Sequence, residues 1–535
     1  MKKLQIRFDK ELVFLIPTAV WIIIMTLMNY FCASHILNSD ISAELVLAKE
    51  LSDANKLFTT QWFYSTEIRV LYTQIVALFL FKIFHSWNLV RTLTNFIFFI
   101  ALLWSYLFAV KPLNLKKRSV YLSSLFLFIP YSIQYLYIVH IGNSYIPHFI
   151  IVFICVGLLS RLTEQRNKWN MLLYIVWSFY AGLCGIRFAV VYAIPVVLAA
   201  IMEIVIENGC GTGTLFQKDL WKRPRVYLSA IGFLTFVVGL FINVFVFTRF
   251  IDVGETNDLL MNILNDSGVI SRLDFIITGL LSLFGYYDFE NLMSRGGIAS
   301  LAAVVIFAAL VFICIALVKH YMKLTRICRY YILLFFTALF TNVFLFVFVA
   351  GTYVPRYFIP MLILVVPCIA VYLDTADIMK FDFHKLTALF LAAAMNISGI
   401  TACCWCAQTD LNAPFKEVVN FLEENHLRFG LSTFWNSGVP NELSDGYVEL
   451  VTVREDDITK MYGWLTSKRY LHSQTWRNVN SDSIFFLIDD DIYEANEELP
   501  MVLDGECIYE ENGYRILVYD KEYFINVYGS QYFID

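Results

Sequence analysis

The chain has 535 residues and a formal net charge of −5, and 59% of its residues are hydrophobic while only 16% are charged. Soluble globular domains carry about 25% charged residues, so this composition excludes an ordinary soluble protein. The chain is expected to be embedded in lipid, and nucleic acid is not expected among its partners.

The apolar residues form blocks of about twenty, the helix length that crosses a hydrocarbon core of roughly 30 Å. The first block follows a basic N-terminus and is too long for an ordinary cleaved signal peptide, so it is expected to remain as a span. The pattern predicts a polytopic α-helical membrane protein with about 11 transmembrane helices. The predicted spans are residues 12–33, 89–110, 119–139, 145–160, 169–186, 188–206, 227–248, 298–318, 330–350, 357–373 and 387–406.

One apolar segment, residues 70–84, decides the orientation of every later loop, because it either crosses the membrane or lies along its surface. If it does not cross, the Lys and Arg clusters at 111–118, 161–168, 218–225 and 319–329 all face the cytoplasm, as the positive-inside rule requires. We therefore expect a surface segment within a first extracytoplasmic loop over residues 34–88. The N-terminus is expected in the cytoplasm.

The same topology predicts two domains in a multi-pass protein of the cell membrane. Residues 1–407 form the transmembrane domain, and residues 408–535 form a small extracytoplasmic α/β domain. In the latter we expect a helix over 414–426 and strands over 447–453, 484–488 and 515–519. Asp489–Asp491 follow one strand as in the metal sites of nucleotide-sugar transferases, but the domain is too short for such an enzyme. A solvated acidic turn is the preferred interpretation.

The first outer loop carries two carboxylates directly after the first span. Asp40 and Glu44 begin a predicted helix. Asp40 either caps that helix, a favoured role for Asp, or serves as a carboxylate held at the boundary between lipid and water. Partial burial there could raise its pKa and sharpen it as a base.

Farther along this loop, residues 62–69 include Tyr64, Glu67 and Arg69 and precede the apolar segment. A guanidinium at head-group height is suited to clamp a phosphate. The alternative is that Arg69 extends to the interface or pairs with Glu67.

Other polar residues face outward under the same topology. Arg187 and Arg356 interrupt apolar stretches, where ionisable residues are costly and usually functional. His140 and His148 lie in a short loop and could bind a metal, but no carboxylate accompanies them, so packing and substrate hydrogen bonding are preferred. The predicted substrate-binding residues are Tyr64, Arg69, His140, His148, Arg187, Arg356 and Tyr357.

Together these features resemble the GT-C superfamily of integral membrane glycosyltransferases, which includes protein O-mannosyltransferases and bacterial aminoarabinose transferases. The resemblance rests on the long first outer loop, the outer C-terminal domain, and the residues Asp40, Glu44, Arg69, Arg356, Tyr357 and Pro360. It implies an inverting glycosyltransferase of the cell envelope. Such an enzyme moves a sugar from a polyprenyl-phosphate-linked donor in the membrane lipid to an envelope acceptor on the extracytoplasmic side.

The resemblance also implies roles for the candidate residues. Asp40 would be the base or would orient the acceptor, with Glu44 or Glu67 in support. Arg69 and Arg356 would hold the carrier phosphate and stabilise the leaving group.

Arg187 would be a third cation. Members of the superfamily commonly carry a second acidic residue in the next outer loop, where this chain has His140, Asn143 and His148. This departure leaves the base assignment and the need for a divalent metal open.

Two other functions are weighed against this one. A transporter or flippase for lipid-linked glycans could use the same arginines, but such proteins usually show midplane charges and inverted repeats, and the sequence shows neither. A non-catalytic envelope protein would leave the loop with Asp40 and Arg69 without an evident use. The acceptor stays open between a glycan, a lipid and a protein.

Overall fold

A computed structural model describes residues 10–65, 68–69, 72–208, 222–254, 269–287, 291–348, 354–379 and 383–534. Helices dominate the membrane part, and strands are concentrated near the C-terminus. The helices are α1 (Ile16–Cys32), α2 (Ser39–Asp53), α3 (Thr73–Phe81), α4 (Trp87–Val110), α5 (Lys117–Phe128), α6 (Ile133–Tyr135), α7 (Ile146–Glu164), α8 (Lys168–Leu183), α9 (Ile194–Asn208), α10 (Pro224–Phe241), α11 (Val269–Leu283), α12 (Arg295–Lys319), α13 (Arg326–Phe348), α14 (Ile359–Leu362), α15 (Val365–Met379), α16 (Phe383–Gln408), α17 (Ala413–Glu424), α18 (Phe434–Leu443), α19 (Ser473–Arg477), α20 (Asp490–Asn496), α21 (Pro500–Leu503) and α22 (Lys521–Val527). The strands are β1 (Trp62–Phe63), β2 (Phe429–Thr433), β3 (Glu449–Val453), β4 (Thr466–Ser467), β5 (Ser483–Asp489), β6 (Glu506–Glu511) and β7 (Tyr514–Asp520).

The chain is a multi-pass integral membrane protein. Eight continuous helices in the described ranges are long and apolar enough to cross a membrane, and two bent helix pairs raise the number to ten. The predicted count of eleven is not confirmed, because α8 has only 16 residues. Such a helix rises about 24 Å, which is less than the roughly 30 Å hydrocarbon core.

Prolines account for the two bent pairs. The predicted span 119–139 is two helical pieces at 88° to each other, and the predicted span 357–373 is two pieces at 47°. The first break contains Pro130, and Pro367 stands in the first turn of α15 after the second break. Proline lacks the N–H that continues a helix, and its ring clashes with the carbonyl four residues earlier. Each sequence block is therefore correctly apolar but not a single straight helix.

The apolar segment at residues 70–84 contains a helix too short to cross a membrane. Helix α3 has nine residues and rises about 13 Å. One of its faces is buried, including Ala77 and Leu78, while Phe79 is exposed. Residues 70 and 71 lie outside the described part of the chain.

The chain divides into two compact units that do not follow sequence order. Unit 1 comprises Met1–Thr26, Phe96–Asn243 and Leu259–Trp405. Unit 2 comprises Leu27–Asn95, Val244–Asp258 and Cys406–Asp535. Unit 2 thus joins the first long loop to a short later segment and to the C-terminal residues.

A five-stranded sheet organises the C-terminal part of unit 2, with strand order β3-β2-β5-β7-β6. Strand β2 is parallel to β3 and β5, whereas β7 is antiparallel to β5 and β6. The predicted helix and three predicted strands correspond to α17, β3, β5 and β7. The inner strand β2 and the edge strand β6 were not predicted.

The first loop packs into the same unit through its own small sheet. Strand β1 pairs antiparallel with β4, so that Trp62 faces Ser467. Tyr64 continues this connection by bridging to Val253. Apolar side chains of α2, α3 and the β1 region, among them Leu45 and Trp62, form one buried cluster.

At one end of unit 1, two loops predicted to share the cytoplasmic side come together. Arg225, at the start of α10, pairs with Glu203 of α9. Arg326, at the start of α13, reaches the same carboxylate at 3.0 Å. Arg225 and Arg326, one from each of two predicted basic clusters, therefore lie at a common end of the helix bundle.

Candidate functional site

Helix α2 presents the two predicted carboxylates on one face. The side chain of Asn38 accepts a hydrogen bond from the Ile41 N–H at 3.1 Å, so Asn38 is the N-cap. The alternative that Asp40 caps this helix is therefore wrong. Asp40 instead stands in the first turn, four residues before Glu44, a spacing that places two side chains side by side on a helix.

Glu44 is a largely buried carboxylate beside a guanidinium. Its oxygen lies 3.5 Å from Nη1 of Arg69, and both side chains are 19% exposed. Burial raises the pKa of Glu44 above its ordinary value of 4.5 and the nearby charge of Asp40 raises it further, while Arg69 and Arg91 oppose both effects. A buried carboxyl held between opposing charges is typical of acid–base sites.

The neighbours of Arg69 hold it next to this carboxylate. Its guanidinium carbon lies 5.1 Å from the ring centre of Tyr72, and Gln74 donates a hydrogen bond to its carbonyl at 3.0 Å. Tyr64 is buried close by, and burial raises its pKa, with the charge of Glu44 adding to the effect. Glu67 lies outside the described residues.

A second group of predicted residues meets within unit 1. The guanidinium carbon of Arg187 lies 5.2 Å from the ring centre of Tyr145 and 5.3 Å from that of Tyr357. The guanidinium of Arg356 stands 5.9 Å from the same Tyr357 ring. Gly185, with a φ of +113°, ends α8 in a conformation that few other residues adopt and so turns the chain toward Arg187. Two cations more than 160 residues apart in sequence thus share one aromatic ring.

His140 and His148 were predicted in a loop, but both lie in helical segments, and they are buried in different surroundings. A ring nitrogen of His140 lies 3.2 Å from the carbonyl oxygen of Leu127. His148 stacks on Phe188, the residue after Arg187, at a centroid distance of 4.6 Å. Within the described ranges, no three His, Cys, Asp or Glu side chains converge so as to hold a metal ion.

Sequence reasoning missed two arginines that border these groups. Arg91 lies in the second turn of α4, inside a predicted span, and its charge acts on Glu44. Arg272 lies on α11, which packs against the turn Pro355–Phe358, and it donates a hydrogen bond to the carbonyl of Val347 at 3.0 Å. The signal for Arg91 was present, since a charge inside an apolar span usually marks function.

Asp489 has a structural role. Its carboxylate caps α20 by accepting from the Ile492 N–H at 2.9 Å, and it also accepts from the Asn436 amide at 2.7 Å. The acidic run at residues 489–491 is therefore the start of a helix and not the solvated acidic turn that we preferred from the sequence.

No protein-family model matches the chain, and no curated protein matches it in sequence. Similar solved structures do exist. ArnT from Cupriavidus metallidurans bound to undecaprenyl phosphate has a TM-score of 0.56 and 11% sequence identity, and the match covers 94% of this chain and 98% of ArnT.

The apo state of the same ArnT gives a TM-score of 0.52 at 10% identity, with 94% and 97% of the two chains covered. An oligosaccharyltransferase from Archaeoglobus fulgidus, in complex with zinc and sulfate, gives a TM-score of 0.43 at 11% identity, with 89% and 68% covered. The ArnT match spans nearly the full length of both chains, which confirms the fold class expected from the sequence. The chain therefore has the fold of ArnT.

Proposed function

We propose that the chain is a membrane glycosyltransferase that moves a sugar from a polyprenyl-phosphate-linked donor to an envelope acceptor on the extracytoplasmic side. The observation that carries this proposal is the Asp40–Glu44–Arg69 group of unit 2, a carboxylate pair beside a guanidinium with the pKa of Glu44 raised. The similarity to ArnT, whose structure holds undecaprenyl phosphate, supports the choice of donor.

The reaction needs a base for the acceptor. In the proposed step, an acceptor hydroxyl attacks the anomeric carbon of the sugar and gives its proton to a carboxylate, for which Asp40 is our candidate. Glu44 lies one helical turn away and supports it. Attack from the face opposite the phosphate forms the new glycosidic bond with inversion.

The departing group is the carrier phosphate. As the bond between the anomeric carbon and the phosphate oxygen breaks, the electron pair stays on that oxygen, and nearby cations stabilise the new charge. We assign this role to Arg69 in unit 2. Arg187 and Arg356 in unit 1 are separate candidates for binding a phosphate and are tested separately. Guanidinium groups suit phosphate binding because their parallel N–H donors match phosphate oxygens.

The direct experiment compares wild type with Asp40→Asn in purified full-length protein, using a panel of polyprenyl-phosphate sugars and measuring sugar transfer. Asp40→Asn should lose transfer while expression and membrane insertion stay normal. The matched control is Asp53→Asn, because Asp53 lies at the other end of α2 with a side chain that is 63% exposed. Equal turnover by wild type and Asp40→Asn would end the assignment of Asp40.

A binding measurement that does not depend on the sugar accompanies this test. Polyprenyl phosphate should bind, and polyprenol of the same length should bind much more weakly, because only the phosphate engages the arginines. Arg356→Met should weaken the first interaction and leave the second unchanged. Equal affinity for the two lipids would contradict the proposed phosphate site.

A further inference from the structure

We infer that Arg91 and Glu442 form a positioning pair through which the C-terminal residues hold the first turn of α2, and with it Asp40 and Glu44, in place. The catalytic part of this inference rests on the proposed function. The positional part concerns unit 2 alone and can be measured without any substrate.

The pair is a two-pronged buried ion pair. Nε and Nη2 of Arg91 donate to the two carboxylate oxygens of Glu442 at 2.5 and 2.6 Å. Both side chains are only 4% exposed, although the residues are 351 positions apart in sequence. Such a geometry fixes orientation as well as distance. Since burying two charges gains little stability by itself, a specific orienting role is the better explanation for keeping them.

The same guanidinium reaches the helix that carries the carboxylates. Nη2 of Arg91 also donates to the backbone carbonyl of Ile41 at 3.3 Å. Ile41 directly follows Asp40 and lies in the turn before Glu44. A shift of Glu442 would therefore move Arg91 and release a contact in the first turn of α2.

Helix α18, which carries Glu442, is itself fitted closely against α2. Ser39 donates its hydroxyl hydrogen to the carbonyl of Trp435 at 3.0 Å, and its oxygen accepts the Gly438 N–H at 3.2 Å. A Cβ atom at Gly438 would stand 2.9 Å from the Cα of Ser39, so no larger residue fits without movement. The position of α18 relative to α2 is thus set by direct contact.

The C-terminal sheet in turn places α18. The helix begins at Phe434, immediately after Thr433 ends strand β2. The first turn of α4 is tied to the same region, because Asp445 accepts the Trp87 N–H at 2.6 Å. The connection therefore runs from the sheet through α18 and Arg91 to α2.

Charge reaches Glu44 from three sides. Asp40 acts from its own helix, Arg69 from the segment after β1, and Arg91 from α4. Loss of Arg91 removes one of the two cations that favour the ionised form of Glu44. The pair should therefore influence the protonation of the site as well as its position.

The test uses the full chain with Arg91→Met and Glu442→Met combined, which removes both charges while keeping apolar volume in the core. Hydrogen–deuterium exchange of the amides in residues 41–45 should become roughly tenfold faster, the effect of losing one hydrogen bond to a charged group. Where sugar transfer is measurable, its rate should fall in the double Met variant. The acidic limit, which is the pH below which transfer is lost, should move to higher pH. The control is Arg477→Met with Glu522→Met, an ion pair in the same unit with both side chains well exposed.

A second variant separates positioning from simple stability. Exchanging the charges, with Arg91→Glu and Glu442→Arg, can restore an ion pair but places no donor beside the Ile41 carbonyl. In this charge-swapped variant, hydrogen–deuterium exchange in α2 should remain fast and sugar transfer should remain slow. The inference would be overturned if amide exchange were unchanged in the double Met variant, or if the charge-swapped variant behaved like wild type. If wild type transfers no sugar yet the double Met variant still loosens α2, the proposed function fails and the positioning pair stands.

Discussion

Replacing Arg69 by Met should move the acidic limit of sugar transfer to higher pH. In the wild type, the Arg69 nitrogen and the Glu44 oxygen are 3.5 Å apart. At an effective dielectric constant of about 20, two unit charges at that distance attract each other by roughly 4–5 kcal/mol. Since about 1.4 kcal/mol corresponds to one pH unit, the largest shift is roughly three pH units. Both side chains are 19% exposed, so solvent screens part of the attraction between them. We therefore expect the acidic limit to shift by between about one and three pH units.

The sign follows from the charges. The pKa of Glu44 is already raised by burial, and Arg69 opposes that rise. Without Arg69, the carboxyl keeps its proton to higher pH, and a reaction that needs the ionised form is lost at a pH where the wild type still works. Raising the pH should recover the part of the rate that was lost through protonation of Glu44, while the loss of phosphate stabilisation by Arg69 remains at every pH.

The assay is the initial rate of transfer against pH, at several donor concentrations, for wild type, Arg69→Met and Arg69→Lys. Arg69→Lys keeps the positive charge and should retain most of the wild-type limit. A role of Arg69 in binding the phosphate would raise KM at every pH, whereas its action on Glu44 would move the limit in kcat. An identical acidic limit in wild type and Arg69→Met would refute the coupling.

Two further predictions concern topology and the C-terminal sheet. A reporter fused after Leu115 should be located in the cytoplasm, and a reporter fused after Asp535 should be located on the extracytoplasmic side. If both reporters were on the same side, the expected orientation would be wrong. Asp489→Ala should lower the free energy of unfolding by about 1 kcal/mol through loss of a helix cap, measured by thermal unfolding of the full chain, and should leave any effect of added divalent cations unchanged. A selective loss of cation dependence in that variant would instead point to a metal-binding role.

Local patterns in the sequence were enough to predict much of the fold. Long uncharged blocks identify spans because no soluble helix needs such length, and short runs of mainly apolar residues at 484–488 and 515–519 predicted β5 and β7. The inner strand β2 was missed because its five residues include Gly430, Ser432 and Thr433 and so do not form an apolar run. The bends at Pro130 and after α14 were missed because span length was counted without the proline penalty.

The candidate site also contains some features that could be predicted from the sequence and others that could not. Residues close together in the chain, such as Asp40 and Glu44, could be placed on one helix face from their spacing alone. The expected topology placed Arg187 and Arg356 on the same side of the membrane, but it did not predict that both contact the ring of Tyr357. The Arg91–Glu442 pair could not be predicted, because the residues around Arg91 carry no signal that its partner lies 351 positions later in the sequence.

That separation has a consequence for biosynthesis. A ribosome builds Arg91 early, and Glu442 emerges only after almost every hydrophobic helix has been delivered to the translocation machinery. Until Glu442 has been made, the guanidinium of Arg91 must hydrogen-bond to water or to a lipid phosphate. The start of α2, which carries Asp40 and Glu44, is not yet held in position. On the proposed function, chains that end before Glu442 should insert into the membrane but transfer no sugar, because the first turn of α2 is not yet held in place.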